Sequence, residues 1–142
     1  MTTSSIEKYI RIILLFLLTL FLAVHFPSKV NGLEIDVEIA PNMINVEGNM
    51  EAFVIHTNIA YGLVDLESVT LTVNETEVLV DRSKMDSLGQ FDVIIPLFLI
   101  EEALVIGVEN DFYLQGRTWN GELFWGVDRI LVIDKSMQVG KL

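Results

Sequence analysis

An all-β fold behind one N-terminal hydrophobic helix is what this sequence predicts, and three observations carry that expectation. After residue 32, short β-branched and apolar runs recur with turn residues roughly every 8–12 positions. No stretch there shows the 3.6-residue period of an amphipathic helix. Upstream, residues 10–26 read IRIILLFLLTLFLAVHF, with Arg11 as the single charge. Seven or more short strands in one small domain predict an immunoglobulin-like antiparallel β-sandwich of about seven to nine strands. A small closed β-barrel is the alternative.

The helix comes first. Lys8 and Arg11 lie on the N-terminal side of the strongly apolar run from Ile12 to Val24, which favours an orientation with the N-terminus inside. That run is short, since a spanning helix takes about 20 apolar residues and the apolar stretch of a signal peptide about 7–15. Pro27 ends any helix, and His25 is part of the segment's end. Val30-Asn31-Gly32 sets small residues one and three places before a cut after Gly32, as at a signal peptidase site. Two readings follow: a signal peptide removed near residue 32, or an uncleaved signal anchor that holds the chain to the membrane through residues 10–26. The short run favours cleavage. The expected organisation is 1–32 as signal peptide or signal anchor, 33–134 as the sandwich, and 135–142 as a C-terminal tail. The sandwich is then extracytoplasmic, either secreted or at the cell surface.

From Leu33 the period becomes two. Leu33, Ile35, Val37 and Ile39 alternate with Glu34, Asp36 and Glu38, which predicts a strand with one buried and one wet face. Ala40-Pro41-Asn42 breaks it, and a short extended piece runs from Met43 to Val46. Met50 to Asn58 reads as a central strand and YGLVDLES as a connection. Val69 to Val73 and Glu77 to Val80 are further strands, and Asp81 to Gly89 is a polar loop. Phe91 to Phe98 is a strand with an edge or an end at Pro96. Ile100 to Ala103 is open to a helical turn, and Leu104 to Val108 to an extended piece. Phe112 to Thr118 and Glu122 to Trp125 flank Asn120-Gly121, a pair that predicts a hairpin with a type I′ turn. Val127 to Asp134 is the last strand and a candidate sheet edge.

Composition excludes several functions. Of 20 acidic and 9 basic residues, only Glu7, Lys8, Arg11 and Lys29 precede residue 33, so 19 acids face 6 bases in the remainder. A charge of that sign repels nucleic acid, so no nucleic-acid partner is expected. The chain has no cysteine, which excludes disulfides, thiolate metal sites and a Cys nucleophile.

The two ends of the domain carry a resemblance. Ile35-Asp36-Val37-Glu38-Ile39-Ala40-Pro41-Asn42-Met43-Ile44-Asn45 is similar to the I-D-I-K-P and P-N-S-I-N opening of a small β-sandwich module. That module occurs in secreted and surface proteins of archaea and bacteria. Its V-D-x-x-T-V-T-L segment resembles Val64-Asp65-Leu66-Glu67-Ser68-Val69-Thr70-Leu71. Its L-T-G-x-T-x-D-G close resembles Leu114 to Gly121, and its G-x-D-x-V-x-I close resembles Gly126 to Val132. The ordered set spans nearly all of residues 35–133. The resemblance implies an immunoglobulin-like sandwich, an exported or cell-surface setting, and no catalytic activity. Many members carry an acidic D-x-N-G-D-G loop suited to calcium. Here the corresponding stretch, Lys84 to Gln90, keeps only Asp86 and nearby Asp92, so a calcium loop is not carried over.

Candidate sites are few. His56 is the only imidazole after residue 32, flanked by Ile55 and Thr57, and there is no G-x-S-x-G element, so a hydrolase triad and a zinc cage are not expected. Carboxylates pair in sequence as Asp65 with Glu67, Glu75 with Glu77, Glu101 with Glu102, and Glu109 with Asp111. Glu109-Asn110-Asp111 together with Asp65 is the candidate for a hard cation such as calcium; no other cofactor is expected. Asn74-Glu75-Thr76 is a glycosylation sequon. Trp119, Phe124 and Trp125, with Phe112 and Tyr113 beside them, are candidate binding aromatics around the final hairpin. Phe124 and Trp125 point to opposite faces, so one of them faces out. The expected function is non-enzymatic: a binding or structural module of the cell envelope, its partner an envelope protein or a glycan. A carbohydrate- or calcium-binding accessory domain is the alternative.

Overall fold

The structure, a computed structural model, describes residues 3–25 and 32–139. It forms two compact units, Met1–Asn31 and Gly32–Leu142. The first contains helix α1, Thr3–His25, whose 23 residues give a length of about 35 Å. The expected hydrophobic helix is there. The Pro27 stop and the Val30-Asn31-Gly32 cut fall on or beside residues 26–31, outside the described residues. Among the described residues, no helix is long and apolar enough to cross a membrane.

The second unit is an all-β sandwich. Its strands are β1 (Leu33–Glu34), β2 (Val37–Ala40), β3 (Met43–Asn45), β4 (Ala52–Ala60), β5 (Val64–Val73), β6 (Thr76–Leu79), β7 (Ser83–Met85), β8 (Gln90–Pro96), β9 (Glu109–Thr118) and β10 (Leu123–Ile133). A short helix α2, Lys135–Val139, follows them. The Asp134 carboxylate caps α2, and hydrogen bonds from the Ser136 hydroxyl and nearby backbone N–H groups hold its pKa below the usual range. Sheet A runs β1-β10-β9-β5-β6 with β3 also on β10, and sheet B runs β2-β4-β8-β7. The sheets share no strand, so the molecule is a sandwich and not the alternative barrel.

The core lies between the sheets. Phe53, Ile55 and Ile59 of β4 and Phe91, Val93 and Ile95 of β8 meet Leu71, Val73, Phe112, Leu114, Phe124 and Val132 of sheet A. Phe53 and Phe112 pack edge to face across the gap, centroids 5.8 Å apart. Every second residue of these strands faces inward.

The first predicted strand divides. β1 pairs parallel to β10 in sheet A, whereas β2 pairs with β4 in sheet B. Past Ala40-Pro41, a cis peptide, the chain returns to sheet A and β3 lies parallel to the end of β10. Two features of β10 hold this path. Gly126 leaves room for Ile35 and Val37, and the Asp128 carboxylate accepts a hydrogen bond of 2.9 Å from the Ile39 N–H. β10 is therefore one strand through Gly126, where two were expected. Both its ends are paired, so Val127 to Asp134 is not an open edge.

The predicted hairpin turn differs from expectation in an informative way. Asn120-Gly121 does close a hairpin, but only Gly121 has positive φ, at 82°. The Gly121 N–H bonds to the Thr118 carbonyl and the Thr118 N–H to the Glu122 carbonyl, a three-residue loop with its glycine in the left-handed position. The two-residue loop with positive φ at both central positions is Asn74-Glu75, between β5 and β6. β7 lies inside the expected polar loop Asp81 to Gly89. β5 begins five residues earlier than expected, its register shifting between Asp65 and Thr70.

Candidate functional site

The outer face of sheet A carries two neighbouring aromatic side chains. Trp125 and Tyr113 stand on β10 and β9, half-buried, with nearly parallel rings 24° apart in plane and 6.1 Å between centroids. Gln115, opposite Trp125 in register, donates to the Thr70 hydroxyl at 3.3 Å, and Thr72 lies opposite Tyr113. The centre of this face is therefore aromatic with a polar margin of amide and hydroxyl groups. At its margin the Arg129–Asp111 pair, 2.7 Å apart, is exposed and contributes little to stability. Trp119 sits at the tip of the β9–β10 hairpin, 69% exposed.

Phe124 is a correction to the expected set of binding aromatics. It is fully buried, its ring over Gly116, the residue opposite it in register. A Cβ on Gly116 would lie 2.5 Å from the ring. The expectation that Phe124 and Trp125 take opposite faces is met, with Trp125 outward.

The candidate cation ligands do not converge. Asp65 lies opposite Arg117 at one end of β9, while Glu109 and Asp111 lie six to eight residues away at the other, about 20–27 Å along the strand. Asn110 points inward and is fully buried. Among the described residues, no three His, Cys, Asp or Glu side chains gather as a metal cage. Asp86 spends one oxygen on the N–H groups of Leu88 and Gln90, closing the β7–β8 turn. Asn74, the sequon asparagine, is also engaged. Its amide nitrogen donates to the Ala103 carbonyl and the Asn110 side chain, and its oxygen accepts from the Asp111 N–H. A glycan on that nitrogen would compete with both donor bonds.

His56 has a partner that the sequence did not reveal. Its Nδ1 lies 3.0 Å from Oδ1 of Asp92 on the neighbouring strand β8. Asp92 is 1% exposed although it belongs to the outer face of sheet B. Lys84 Nζ lies 3.9 Å from Oδ2, an oxygen with no hydrogen-bond partner. The register Glu38–His56–Asp92–Lys84 makes one row across all four strands. The period-two pattern marks Asp92 as an outward polar residue; its neighbours across the sheet come from register, which local sequence does not encode.

The residues of the family-like signature have structural work. Asp36 and Asn58 bond each other through side chain and backbone, and Asn45 turns the chain after β3. Gly116, Gly121, Gly126 and Asp128 shape the last hairpin and its contact with the first strands. None of these features is a chemical site.

The chain matches no family model and no curated protein. Among solved structures it is similar to CopC from Methylosinus trichosporium OB3b, at 11% identity over 71% of this chain and 95% of that one, with a TM-score of 0.41. At that distance the likeness carries nothing over to this chain.

Proposed function

We propose that this chain is an exported, extracytoplasmic β-sandwich module that acts by binding another envelope component, not by catalysis. The outer face of sheet A is its contact surface. The Tyr113–Trp125 pair carries this reading. Four large rings, Phe53, Phe91, Phe112 and Phe124, fill the core, yet these two are placed outward beside each other on paired strands. Amphipathic rings with few rotatable bonds are the side chains that most often anchor an interface. The apolar helix with Lys8 and Arg11 ahead of its run supports export, and the short run supports removal of the leader near residue 32. The resemblance of its ordered signature to the small surface-module family supports the same reading.

The deciding experiment is the N-terminal residue and cell fraction of the protein recovered from its own cells. A start near Leu33, or a membrane-held chain cut by protease added from outside, supports export. An intact chain in the soluble cytoplasm overturns it.

A glycan is the second reading, supported by the near-parallel rings with Gln115 and Thr70 at their margin. The chain has only two tryptophans, Trp119 and Trp125, so intrinsic fluorescence reports on both. In a Trp119→Phe protein, a bound glycan is expected to shift Trp125 emission to the blue, with no response after Tyr113→Ala. A glycan array without binders, alongside a protein partner whose capture fails in the Tyr113→Ala and Trp125→Ala double variant, decides for the protein-binding reading.

A further inference from the structure

The outer face of sheet B carries an arrangement that the binding surface on sheet A does not use. Asp92 is a carboxylate in a position where the alternation requires no buried group, and its Oδ2 makes no hydrogen bond. Keeping such a group costs stability, since a desolvated carboxylate oxygen is unfavourable unless bonded, and Lys84 at 3.9 Å offsets that only in part. What the carboxylate does accomplish is to fix an imidazole. A carboxylate oxygen accepts, so the 3.0 Å contact calls for the hydrogen of His56 on Nδ1, and in the neutral ring that leaves the Nε2 lone pair for a second partner. The His56 side chain is 45% exposed, so this oriented ring is open to solvent. It lines a shallow concavity of about 450 Å³ together with Asp36, Glu38, Asn58 and Gln90. Glu38 is its direct cross-strand neighbour on the same face, at a Cβ separation of about 5 Å.

We infer that His56, oriented by Asp92 and assisted by Glu38, is a binding site for a borderline divalent transition-metal ion. A ring whose second nitrogen bonds a carboxylate is how proteins present imidazole to a metal. Imidazole with one carboxylate suits zinc or nickel better than calcium, which prefers six to eight oxygen ligands. The protein supplies two side chains and water fills the other positions, so the site is an open one. Asp92 is a positioning residue: it touches His56, not the ion.

The test is titration of the full chain with Zn²⁺ alone and with Ni²⁺ alone by calorimetry. His25→Gln removes the one other imidazole as a control. One ion per chain is expected for the wild type and for His25→Gln. Binding is lost in His56→Gln and weakened in Glu38→Gln. Asp92→Asn keeps an acceptor oxygen of the same shape, and it is expected to weaken binding about 10–100-fold. Its unfolding midpoint, measured without metal, separates a change of fold from a change of ring orientation. In NMR spectra, substoichiometric Ni²⁺ is expected to broaden the His56 ring signals before those of His25. Equal affinity in His56→Gln and wild type overturns the assignment, as does the absence of one-to-one binding at about 100 μM ion, an affinity of about 5.5 kcal/mol.

Discussion

Replacing Asn110 by alanine is expected to lower the stability of the sandwich by about 3 kcal/mol, seen as a fall of roughly 10–20 °C in its unfolding midpoint. The side chain is fully buried and uses all its hydrogen-bonding capacity locally. Its oxygen accepts from the Val105 N–H at 2.8 Å and from the Asn74 amide, and its nitrogen donates to the carbonyls of Val105 and Val108. It thereby ties the 104–108 loop to the start of β9 and, through Asn74, to the β5–β6 turn. Alanine would leave four polar groups without that partner and a void of amide size. Each buried group left unbonded costs about 1–3 kcal/mol. Val105 and Val108 are exposed enough for water to replace part of the loss, which keeps the sum near the lower end. The total margin of such a domain is about 5–15 kcal/mol, so the change is a large share of it. Asn110→Asp separates this account from a cation site at Glu109-Asn110-Asp111. An added carboxylate would strengthen calcium binding there. Here it turns two donor contacts into clashes between acceptors, so it should destabilise at least as much as alanine, and millimolar calcium should not restore the loss.

How much was legible in the sequence follows from which forces act locally. β4, β8 and most of β9 show in the sequence because a strand with a buried face selects β-branched, apolar and aromatic residues in short runs bounded by turn residues, as in 52–60, 90–96 and 112–118. β7 does not, since Ser83-Lys84-Met85 has no apolar alternation and is a strand only because β8 offers it a ladder. The start of β5 is hidden by its own bulge, which breaks the period between Asp65 and Thr70. The division of Leu33 to Ala40 between two sheets is hidden for the opposite reason: the alternation runs on unbroken through a change of partners.

The site follows the same rule. That Phe124 and Trp125 take opposite faces is a local consequence of the pleat, and it was readable; which of the two faces out was not, because the core that claims Phe124 is assembled from both sheets. The row Glu38–His56–Asp92–Lys84 is not, because those residues are joined by register across four strands. The cation and glycosylation candidates failed for want of the same information. Asp65 and Asp111 share a sheet but sit toward opposite ends of it, and Asn74, although in a turn, is half-buried and held by the loop it faces.

A side chain at Gly126 should damage the fold as much as any single change in this domain. A Cβ there would lie 2.3 Å from Val37 Cγ2 and 2.6 Å from the Ile35 carbonyl oxygen. The methyl of Val37 can rotate away. The carbonyl cannot, because it belongs to the segment that leaves β1 in sheet A for β2 in sheet B, and the Ile35 N–H beside it is bonded to the Trp125 carbonyl at 2.8 Å. Relief therefore requires residues 35–37 to lift from β10. That movement would carry off the Ile39 bond to Asp128 and uncover Ile35, Ile39 and the core beneath them. Overpacking alone costs about 1–3 kcal/mol, and the uncovered apolar area adds to it. Gly126→Ala is expected to cost about 3 kcal/mol or more, and Gly126→Val to prevent folding altogether, measured by denaturant unfolding and by loss of the folded fraction. Gly116→Ala is the comparison. Its clash is with the Phe124 ring and Val69, side chains that can shift, so its cost should be the smaller although its first contact is also short, at 2.5 Å. If Gly126→Ala proves milder than Gly116→Ala, the first strands are more loosely laid on β10 than their hydrogen bonds imply. They would then be the part of the sandwich that opens first, and amide exchange at Ile35 and Ile39 would be fast.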